Sequence, residues 1–349
     1  DLRSKSKTAE EIIQKVVKKT SSNSDSFEYS IDEIVNHYKK EVDSTIITPN
    51  TKNIYTSHVT IVSEKNSVIN RYKTACLIVD EALRSFYGMI SVEFICVTNI
   101  QPKQYSKFDW LKDLPELKKR HILISIPLPL LNSIKKKYGI NYFPEYFLRN
   151  IGLRRSRGKY MLSGSSDVIM PPHFFLGIRK HLFSKNYLLR TIRIRINSRS
   201  IGNSITYASL FNTYVKNYFF RNKIVNTEFP NWCEMPCNPR NRDCGDFQGF
   251  HRNFWYKMNA YYNGYENYNV DSLLDYHLLG MFTPIMYKLM FGEQHIIHPS
   301  QSAGTPGLPQ TIYCGPISVK NGIFNHPYDG EPNWGFINEK MPTRYSNEL

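Results

Sequence analysis

The chain has no apolar run approaching the roughly 20 residues that a membrane-spanning helix needs, so we predict no transmembrane segment in it. It also lacks the two common glycine-rich phosphate loops: neither GxGxxG nor GxxxxGK followed by Ser or Thr occurs after the first predicted strand. These absences argue against dinucleotide-dependent oxidoreductases and P-loop enzymes.

Cysteine is scarce, since six cysteines in 349 residues do not form the disulfide framework of a small secreted protein. Cys76 and Cys96 lie in apolar stretches and are interpreted as core thiols. Four later residues have a loose metal-like spacing without a CxxC pair: Cys233, Cys237, Cys244 and His251. Unpaired thiols or one disulfide are the default interpretation of that group, and a structural zinc site is the lesser alternative.

Basic residues outnumber acidic ones, with 45 Lys and Arg against 30 Asp and Glu, a formal charge of +15. Such a charge attracts anions: nucleic acid, nucleotides, acidic glycans or an anionic membrane surface. Because the basic residues are spread along the chain, the pattern does not favour a nucleic-acid-binding tail, and we predict no nucleic-acid partner. Nucleic-acid binding remains a further hypothesis that rests on the charge alone.

Residues 1–54 predict an amphipathic helical extension. Its first helix would carry one apolar face among many lysines, formed by Ile12, Ile13, Val16 and Val17. Ser30 and Glu33 then form a capping-box pattern at the start of a second helix. We expect the extension to pack on the following domain or on a partner, including a second copy of the chain.

The first residue is Asp1, with no initiator Met, which suggests a fragment or a processed form. A signal or anchor upstream would not be visible in this sequence. The expected location is cytoplasmic or peripheral to a membrane.

From residue 55 onward the sequence predicts an α/β domain. The predicted strands are HVTIVS at 58–63, VEFICV at 92–97, HILISI at 121–126 and a short one at Tyr160–Leu162. Helices are predicted at Arg71–Phe86 and Asn141–Arg155. This order specifies a Rossmann-like, mainly parallel central sheet flanked by helices, with ligands bound at the carboxyl ends of the strands. A further strand is predicted at Leu188–Ile196.

The stretch Arg149–Pro172 combines a basic helix, a short buried strand and a single carboxylate. Asp167 follows that strand, where an open α/β sheet binds its ligand. A lone Asp after a strand is more often a helix cap or turn residue. The position alone therefore leaves both interpretations open.

This stretch resembles the GT-A type nucleotide-sugar glycosyltransferases, in particular the large glycosyltransferase 2-like family. That family has an Arg-Asn pair, a Gly two residues on, a small residue, then Gly-x-Tyr-Ile and a strand ending in Asp-x-Asp. The matching positions here are Asn150, Gly152, Ser156, Gly158 and Tyr160. Ser165-Ser166-Asp167 stands at the Asp-x-Asp place, so the first acid is missing.

The resemblance extends over about residues 58 to 340. HVTIVSEKN is similar to the family's first strand and nucleotide-binding loop, and Thr98 or Asn99 stands where an acid usually contacts the nucleoside. Gly245-Asp246-Phe247-Gln248 and the later Val270-Asp271-Ser272 resemble the acceptor side. Glu293-Gln294-His295 with His298 resembles a C-terminal motif, for which we expect a turn.

The resemblance implies an enzyme that moves a sugar from a UDP- or GDP-sugar to a hydroxyl of a glycan or glycoprotein. It implies assistance by Mn²⁺ or Mg²⁺ and inversion at the anomeric carbon. Within the GT-A fold, residues 55–170 would be the nucleotide-binding half and residues 171–349 the acceptor-binding half.

The resemblance also implies roles for individual residues. Asp271 would be the general base, and Asp246 would orient the acceptor or the sugar. Metal ligands would be Asp167 and His298. The donor would be bound by Ser63, Asn66, Thr98, Asn150, Arg155, Ser165 and Arg252.

Simpler interpretations stand beside these roles. Asp271 can cap the helix that follows it, Asp246 can cap a turn, and His298 and Arg252 can be surface residues. The missing acid at position 165 favours an alternative function: a non-catalytic GT-A-like module that binds a glycan or a partner.

Overall fold

Four buried strands form the centre of the molecule, and they are the four that the sequence predicts. They are β1 (Thr56–Val62), β2 (Val92–Thr98), β3 (His121–Ser125) and β4 (Tyr160–Ser165). All their residues are buried except the half-buried Ser165, because layers of helix cover both faces of a parallel sheet. The structure, a computed structural model, describes residues 30–33, 36, 56–86, 91–139, 143–166, 192–197, 206–209, 247–257, 259–261, 295–300, 318–320, 323–325 and 334–346.

Six further strands occur in the described ranges. They are β5 (Ile192–Asn197), β6 (Phe247–His251), β7 (His295–Ser300), β8 (Ser318–Lys320), β9 (Ile323–Asn325) and β10 (Thr343–Tyr345). The central sheet has the order β10-β3-β2-β1-β4-β6, in which β3, β2, β1 and β4 are parallel and the two outer strands antiparallel. The predicted α/β class with a mainly parallel sheet is confirmed.

Two smaller pairings lie apart from this sheet: β5 is parallel to β7, and β8 is antiparallel to β9. The predicted strand at Leu188–Ile196 overlaps β5. The segment that begins at His295 is a strand, so the predicted turn there is wrong; main-chain pairing with β5 holds it extended.

The helices follow less directly from the sequence. They are α1 (Asn66–Ser85), the 3₁₀ helix η1 (Pro102–Asp113), α2 (Leu128–Tyr138), α3 (Glu145–Arg155), α4 (Arg252–Lys257) and the 3₁₀ turn η2 (Trp334–Phe336). Helix α1 begins five residues before the predicted Arg71, because its first polar residues face solvent and need no apolar partner. Helix α3 begins at Glu145, after Pro144, rather than at residue 141.

Helix η1 was not predicted because its buried residues recur every three positions. Tyr105, Phe108 and Leu111 point inward, which is the 3₁₀ period rather than the 3.6-residue period of an α-helix. Helix α2 was also missed, since its Pro-rich start reads as a turn. Proline is tolerated in the first turn of a helix, where its missing N–H costs nothing.

Helix α3 lies very close to the central sheet. A Cβ placed on Gly152 would be 2.4 Å from Val59 Cγ1 and 2.9 Å from Val97 Cγ2. Val59 and Val97 belong to β1 and β2, so the missing side chain at residue 152 sets the distance between the helix and the middle of the sheet. Gly158, three residues beyond the end of α3, makes a similar approach to β1, since a Cβ placed on it would be 2.4 Å from the main-chain N of Ser57.

The chain's C-terminal segment, residues 334–346, runs from α3 to the edge of the sheet. Arg154 stacks its guanidinium over the rings of Trp334 and Tyr256, with 4.6 Å to each centroid. At the other end, β10 pairs with β3. Ser346 Oγ lies 2.7 Å from Nδ1 of the buried His121, whose Nε2 is 2.5 Å from the Tyr72 hydroxyl. The segment thus connects α3, on one face of the central sheet, to the buried His121 and Tyr72 on the other face.

The predicted capping box and the two predicted core thiols are both found in the structure. The capping box is present, since Glu33 N donates to Ser30 Oγ and Ser30 N donates to Glu33 Oε2. Cys76 and Cys96 are buried free thiols, and burial raises the pKa of both. None of the described helices is long and apolar enough to cross a bilayer.

The close approach at Gly152 gives a test of the packing. Gly152→Ala adds a methyl group against Val59, and overpacking of this kind costs about 1–3 kcal/mol of unfolding free energy. Val59→Ala removes the nearest atom, so we expect the cost of Gly152→Ala to be smaller in that background. Urea denaturation of the double-mutant cycle measures the coupling. Additive free energies in the two variants would contradict the predicted contact.

His121 gives a test by pH. Burial lowers its pKa from 6.5 to about 3. Between these values the unfolded chain binds a proton that the folded protein does not, so the unfolding free energy falls as pH falls. His121→Gln removes this group, and we expect its slope between about pH 6 and 4 to be shallower by about 1.4 kcal/mol per pH unit. His58, whose pKa is also about 3, remains in both proteins. Denaturation at stepped pH is the measurement, and equal slopes would refute the prediction.

Candidate functional site

The carboxyl ends of β1, β2 and β4 bring three of the predicted donor-binding residues to one edge of the sheet. Ser63 follows β1 directly, Thr98 is the last residue of β2 and is paired with Val62, and Ser165 ends β4, paired with Ile61. We call this the carboxyl edge. From β1 the chain proceeds through β2 to β3 on one side and then returns to β4 on the other, so β1 and β4 flank the topological switch point where such sheets bind ligands.

The turn from β1 into α1, residues 64–67, is exposed at this edge. Lys65 is the N-cap residue of α1, but no side chain caps the helix, and its first turn contains no acid. Asn66, the first helical residue, is exposed. Glu64 N donates to Asn99 Oδ1 at 3.0 Å, which ties the turn to the end of β2. An uncapped helix N-terminus of this kind favours an anion.

Thr98 and Ser165 are engaged with the protein as well as placed at the edge. The buried Thr98 hydroxyl accepts a hydrogen bond from Ile100 N at 3.1 Å, which shapes the chain as it leaves β2. Ser165 Oγ accepts a longer hydrogen bond, 3.5 Å, from the guanidinium of Arg149.

Arg149 is the main charged group beneath the edge. Only 1% of its side chain is exposed, and its NH1 donates to Ser163 Oγ at 2.9 Å. Its Nε and NH2 both donate to Glu145 Oε1. Burial alone would lower the pKa of Arg149, but the Glu145 carboxylate raises it above its ordinary value. The guanidinium is therefore a permanent charge.

The nearest histidine adds no second positive charge beside Arg149. Burial and, second, the charge of Arg149 lower the pKa of His58 to about 3, so His58 is neutral at physiological pH. Two aromatic rings lie beside the guanidinium: its Cζ is 5.4 Å from the Tyr146 centroid and 6.0 Å from that of Tyr261. Arg149 and its partner Glu145 did not figure among the predicted site residues. The spacing of four residues in a helix was the available signal, since it favours ion pairs.

Two other predicted donor-binding residues, Asn150 and Arg155, make structural contacts. Asn150 holds the main chain of Tyr261 with two hydrogen bonds, of 2.7 and 2.9 Å. Arg155 donates to the carbonyls of Gly335, Phe336 and Glu339, at 2.7 to 3.0 Å. Both side chains are thereby bound to distant parts of the backbone.

Arg252 has a similar role at the opposite edge. Its Nε donates to Gly158 O at 3.1 Å and its NH2 donates to Ser156 O. Gly158 N in turn donates to the Ser57 hydroxyl at 2.6 Å, beside the start of β1. We call this end of the strands the amino edge. Arg252 and Arg155 lie toward it, away from Ser63, Thr98 and Ser165.

The remaining predicted residues are not described in the same detail. Asp167, Asp246 and Asp271 lie outside the described residues, and of His298 only the backbone, within β7, is described. Cys233, Cys237 and Cys244 also lie outside. Within the described ranges, no group of three or more His, Cys, Asp or Glu side chains is placed to hold a metal ion.

The contacts of Arg155 and Arg252 predict that both stabilise the fold. Charge-assisted hydrogen bonds contribute about 1.5–3 kcal/mol each, so Arg155→Ala and Arg252→Ala should each lower the unfolding free energy by at least about this amount. Lys73→Ala, on the exposed side of α1, is the control and should change it by less than about 0.5 kcal/mol. Urea denaturation measures all three. Wild-type stability in the arginine variants would show that these bonds contribute nothing.

No protein-family model matches the chain, and none of the curated proteins is similar to it. Among solved structures it is similar to residues 1–349 of TarS from S. aureus. Identity is 9% and the TM-score 0.40, with 71% of this chain and 58% of that chain covered. For the same TarS fragment in complex with UDP-GlcNAc, the identity is 8% and the TM-score 0.41, with 72% of this chain and 60% of that chain covered. For the fragment in complex with UDP, the identity is 9% and the TM-score 0.39, with 71% of this chain and 58% of that chain covered. The chain thus spans under two thirds of each of these structures, and the similarity is coarse.

Proposed function

We propose that the chain is a GT-A type glycosyltransferase that transfers a sugar from a nucleoside-diphosphate sugar to a hydroxyl of a glycan or glycoprotein. One observation carries this proposal: the uncapped N-terminus of α1 lies at the topological switch point between β1 and β4. The free amides at such a helix end favour an anion such as a diphosphate. Ser165, the first residue of the motif Ser165-Ser166-Asp167, ends β4 at the same edge.

In the proposed donor complex, the diphosphate lies against the amides at the start of α1, with Ser63 and Asn66 beside it. Thr98 and Asn99, at the end of the neighbouring strand, lie on the nucleoside side. Residues 55–170 form the nucleotide-binding half and residues 171–349 the acceptor-binding half. Residues 1–54 form the helical extension, through which two copies of the chain associate.

The reaction we propose is a direct displacement with inversion. The acceptor oxygen forms a bond to the anomeric carbon while the bond from that carbon to the diphosphate oxygen breaks. Asp271 takes the proton of the acceptor hydroxyl, and the nucleoside diphosphate leaves with the bonding electron pair. Asp246 orients the acceptor. The α1 amides stabilise the charge that develops on the leaving group.

A divalent cation fits the proposed donor set by its chemistry. Asp167, the Ser165 hydroxyl and His298 offer oxygen ligands and one imidazole, which suit Mn²⁺, and oxygen ligands also suit Mg²⁺. When bound, such an ion would neutralise charge on the diphosphate. Ser165, half-buried at the end of β4, is the member of this set with a described side chain.

Calorimetry and donor turnover test the proposal. Wild-type protein should bind UDP or GDP in the presence of Mn²⁺ and hydrolyse a matching nucleotide sugar. Asp271→Ala should keep the nucleotide affinity and lose about 10²–10⁴-fold in kcat, because it removes only the base. Asp167→Ala should lose about 10²-fold or more in kcat/KM.

Asp275→Ala is the control for the acid-to-alanine changes, since Asp275 lies four residues after Asp271 and has no role in the reaction as proposed. It should keep wild-type turnover. If the wild-type protein bound neither UDP nor GDP, the enzyme proposal would be wrong. Binding without any turnover would instead favour a non-catalytic GT-A-like module.

A further inference from the structure

We propose that Arg149, held by Glu145, is a positioning residue that fixes the end of β4 and thereby the Ser165 hydroxyl of the proposed donor site. The inference rests on the proposed function, because it assigns that residue a role in donor turnover. Arg149 is too deeply buried to touch a donor itself, with 1% of its side chain exposed. It would act through the strand that it holds.

The contacts of the guanidinium are divided between two elements. Toward its own helix, α3, it donates twice to Glu145 Oε1. Toward β4 it donates to Ser163 Oγ at 2.9 Å and to Ser165 Oγ at 3.5 Å. Ser163 and Ser165 are two residues apart, so their side chains share the sheet face that α3 covers. The planar guanidinium of Arg149 therefore holds the end of β4 against the first turn of α3.

The fork is itself immobilised. The rings of Tyr146 and Tyr261 lie beside it at 5.4 and 6.0 Å, and Asn150 holds the Tyr261 main chain. Glu145 is the acid at the start of α3, where the helix dipole favours a negative charge. The side chain of Glu145 is 40% exposed, so its charge is partly solvated.

Packing alone does not explain an arginine at this position. A buried ion pair contributes little net stability compared with apolar residues of the same size. What an apolar residue cannot do is bond two serine hydroxyls at a strand end and keep them in one orientation. Ser165 is the last residue of β4 and lies at the carboxyl edge. A small displacement of the strand end would therefore displace the Ser165 hydroxyl, which is one of the proposed cation ligands.

The test compares Glu145→Gln/Arg149→Met with the wild type. Replacing both partners leaves no unpaired buried charge, so we expect a cooperative unfolding transition close to the wild-type temperature. We expect kcat for donor hydrolysis to fall by about 10–100-fold, the loss that about 1 Å of misplacement produces. The Kd for UDP or GDP alone should change by less than about threefold, since the α1 amides bind the diphosphate.

Arg154→Met is the matched control. Arg154 lies on the same helix but stacks on Trp334 and Tyr256, so the variant should lose stability without losing kcat. Arg149→Lys keeps the charge but not the planar fork, and it should recover only part of the kcat lost by Arg149→Met. A folded double variant with wild-type kcat would overturn the proposal. An equal loss of kcat in Arg154→Met would also overturn it, because general destabilisation would then explain the effect.

A second measurement does not depend on turnover. Amide hydrogen exchange in the peptide covering residues 160–166 should speed up in the double variant and stay at the wild-type rate in Arg154→Met. Unchanged exchange in the double variant would show that Arg149 does not fix the strand end. If the wild-type protein turned over no donor, the proposed function would fail. Exchange would then decide alone whether Arg149 controls the end of β4.

Discussion

At Gly152 helix α3 approaches the sheet so closely that a single methyl group would lie 2.4 Å from Val59 and 2.9 Å from Val97. This contact sets how close the helix lies to the sheet. Arg149, almost one turn earlier, consequently reaches the serines of β4, and Arg155, almost one turn later, reaches the C-terminal segment. A larger residue at position 152 would lift all of these side chains from their partners.

The C-terminal segment depends on the same placement. It covers α3 through Arg155 and the rings beside Arg154, and then adds β10 to the edge of β3. Gly335, with φ of 68°, is the residue that lets the segment come near the helix. A Cβ there would lie 2.6 Å from Asn150 O, and residues that carry a side chain rarely adopt this φ. Two glycines nearly two hundred residues apart thus fit the same helix.

The parallel core could be predicted from the sequence because each of its strands is a continuous apolar run, a local signal. The pairing partners could not. Strand β6 lies beside β4 with His251 opposite Tyr160, and β10 lies beside β3 with Thr343 opposite Ile124. Nothing in either local pattern identifies so distant a partner. Helix η1 was missed for a different reason, since its buried residues follow a period of three.

The candidate site divides in the same way. The positions of Ser63, Thr98 and Ser165 at strand ends follow from the predicted strands alone. The partners of long polar side chains do not follow, because Arg155 and Arg252 bind carbonyl groups that only the folded chain brings near them. A basic residue next to a predicted ligand site can therefore stabilise the fold instead of binding a ligand. The sequence contains no local sign that separates these two roles.

The direction of α3 distinguishes an arginine near the candidate site from one that only stabilises the fold. The helix runs antiparallel to the strands, with Glu145 at the carboxyl edge and Ser156 near the amino edge. A rise of about 1.5 Å per residue places Arg155 about 9 Å further along the axis than Arg149. Two arginines six residues apart thus serve opposite ends of the sheet, and only Arg149 is near the switch point. The positive potential proposed for a donor diphosphate therefore comes from the amides of α1, because Arg149 is paired with Glu145 and Arg155 and Arg252 donate to main-chain carbonyls.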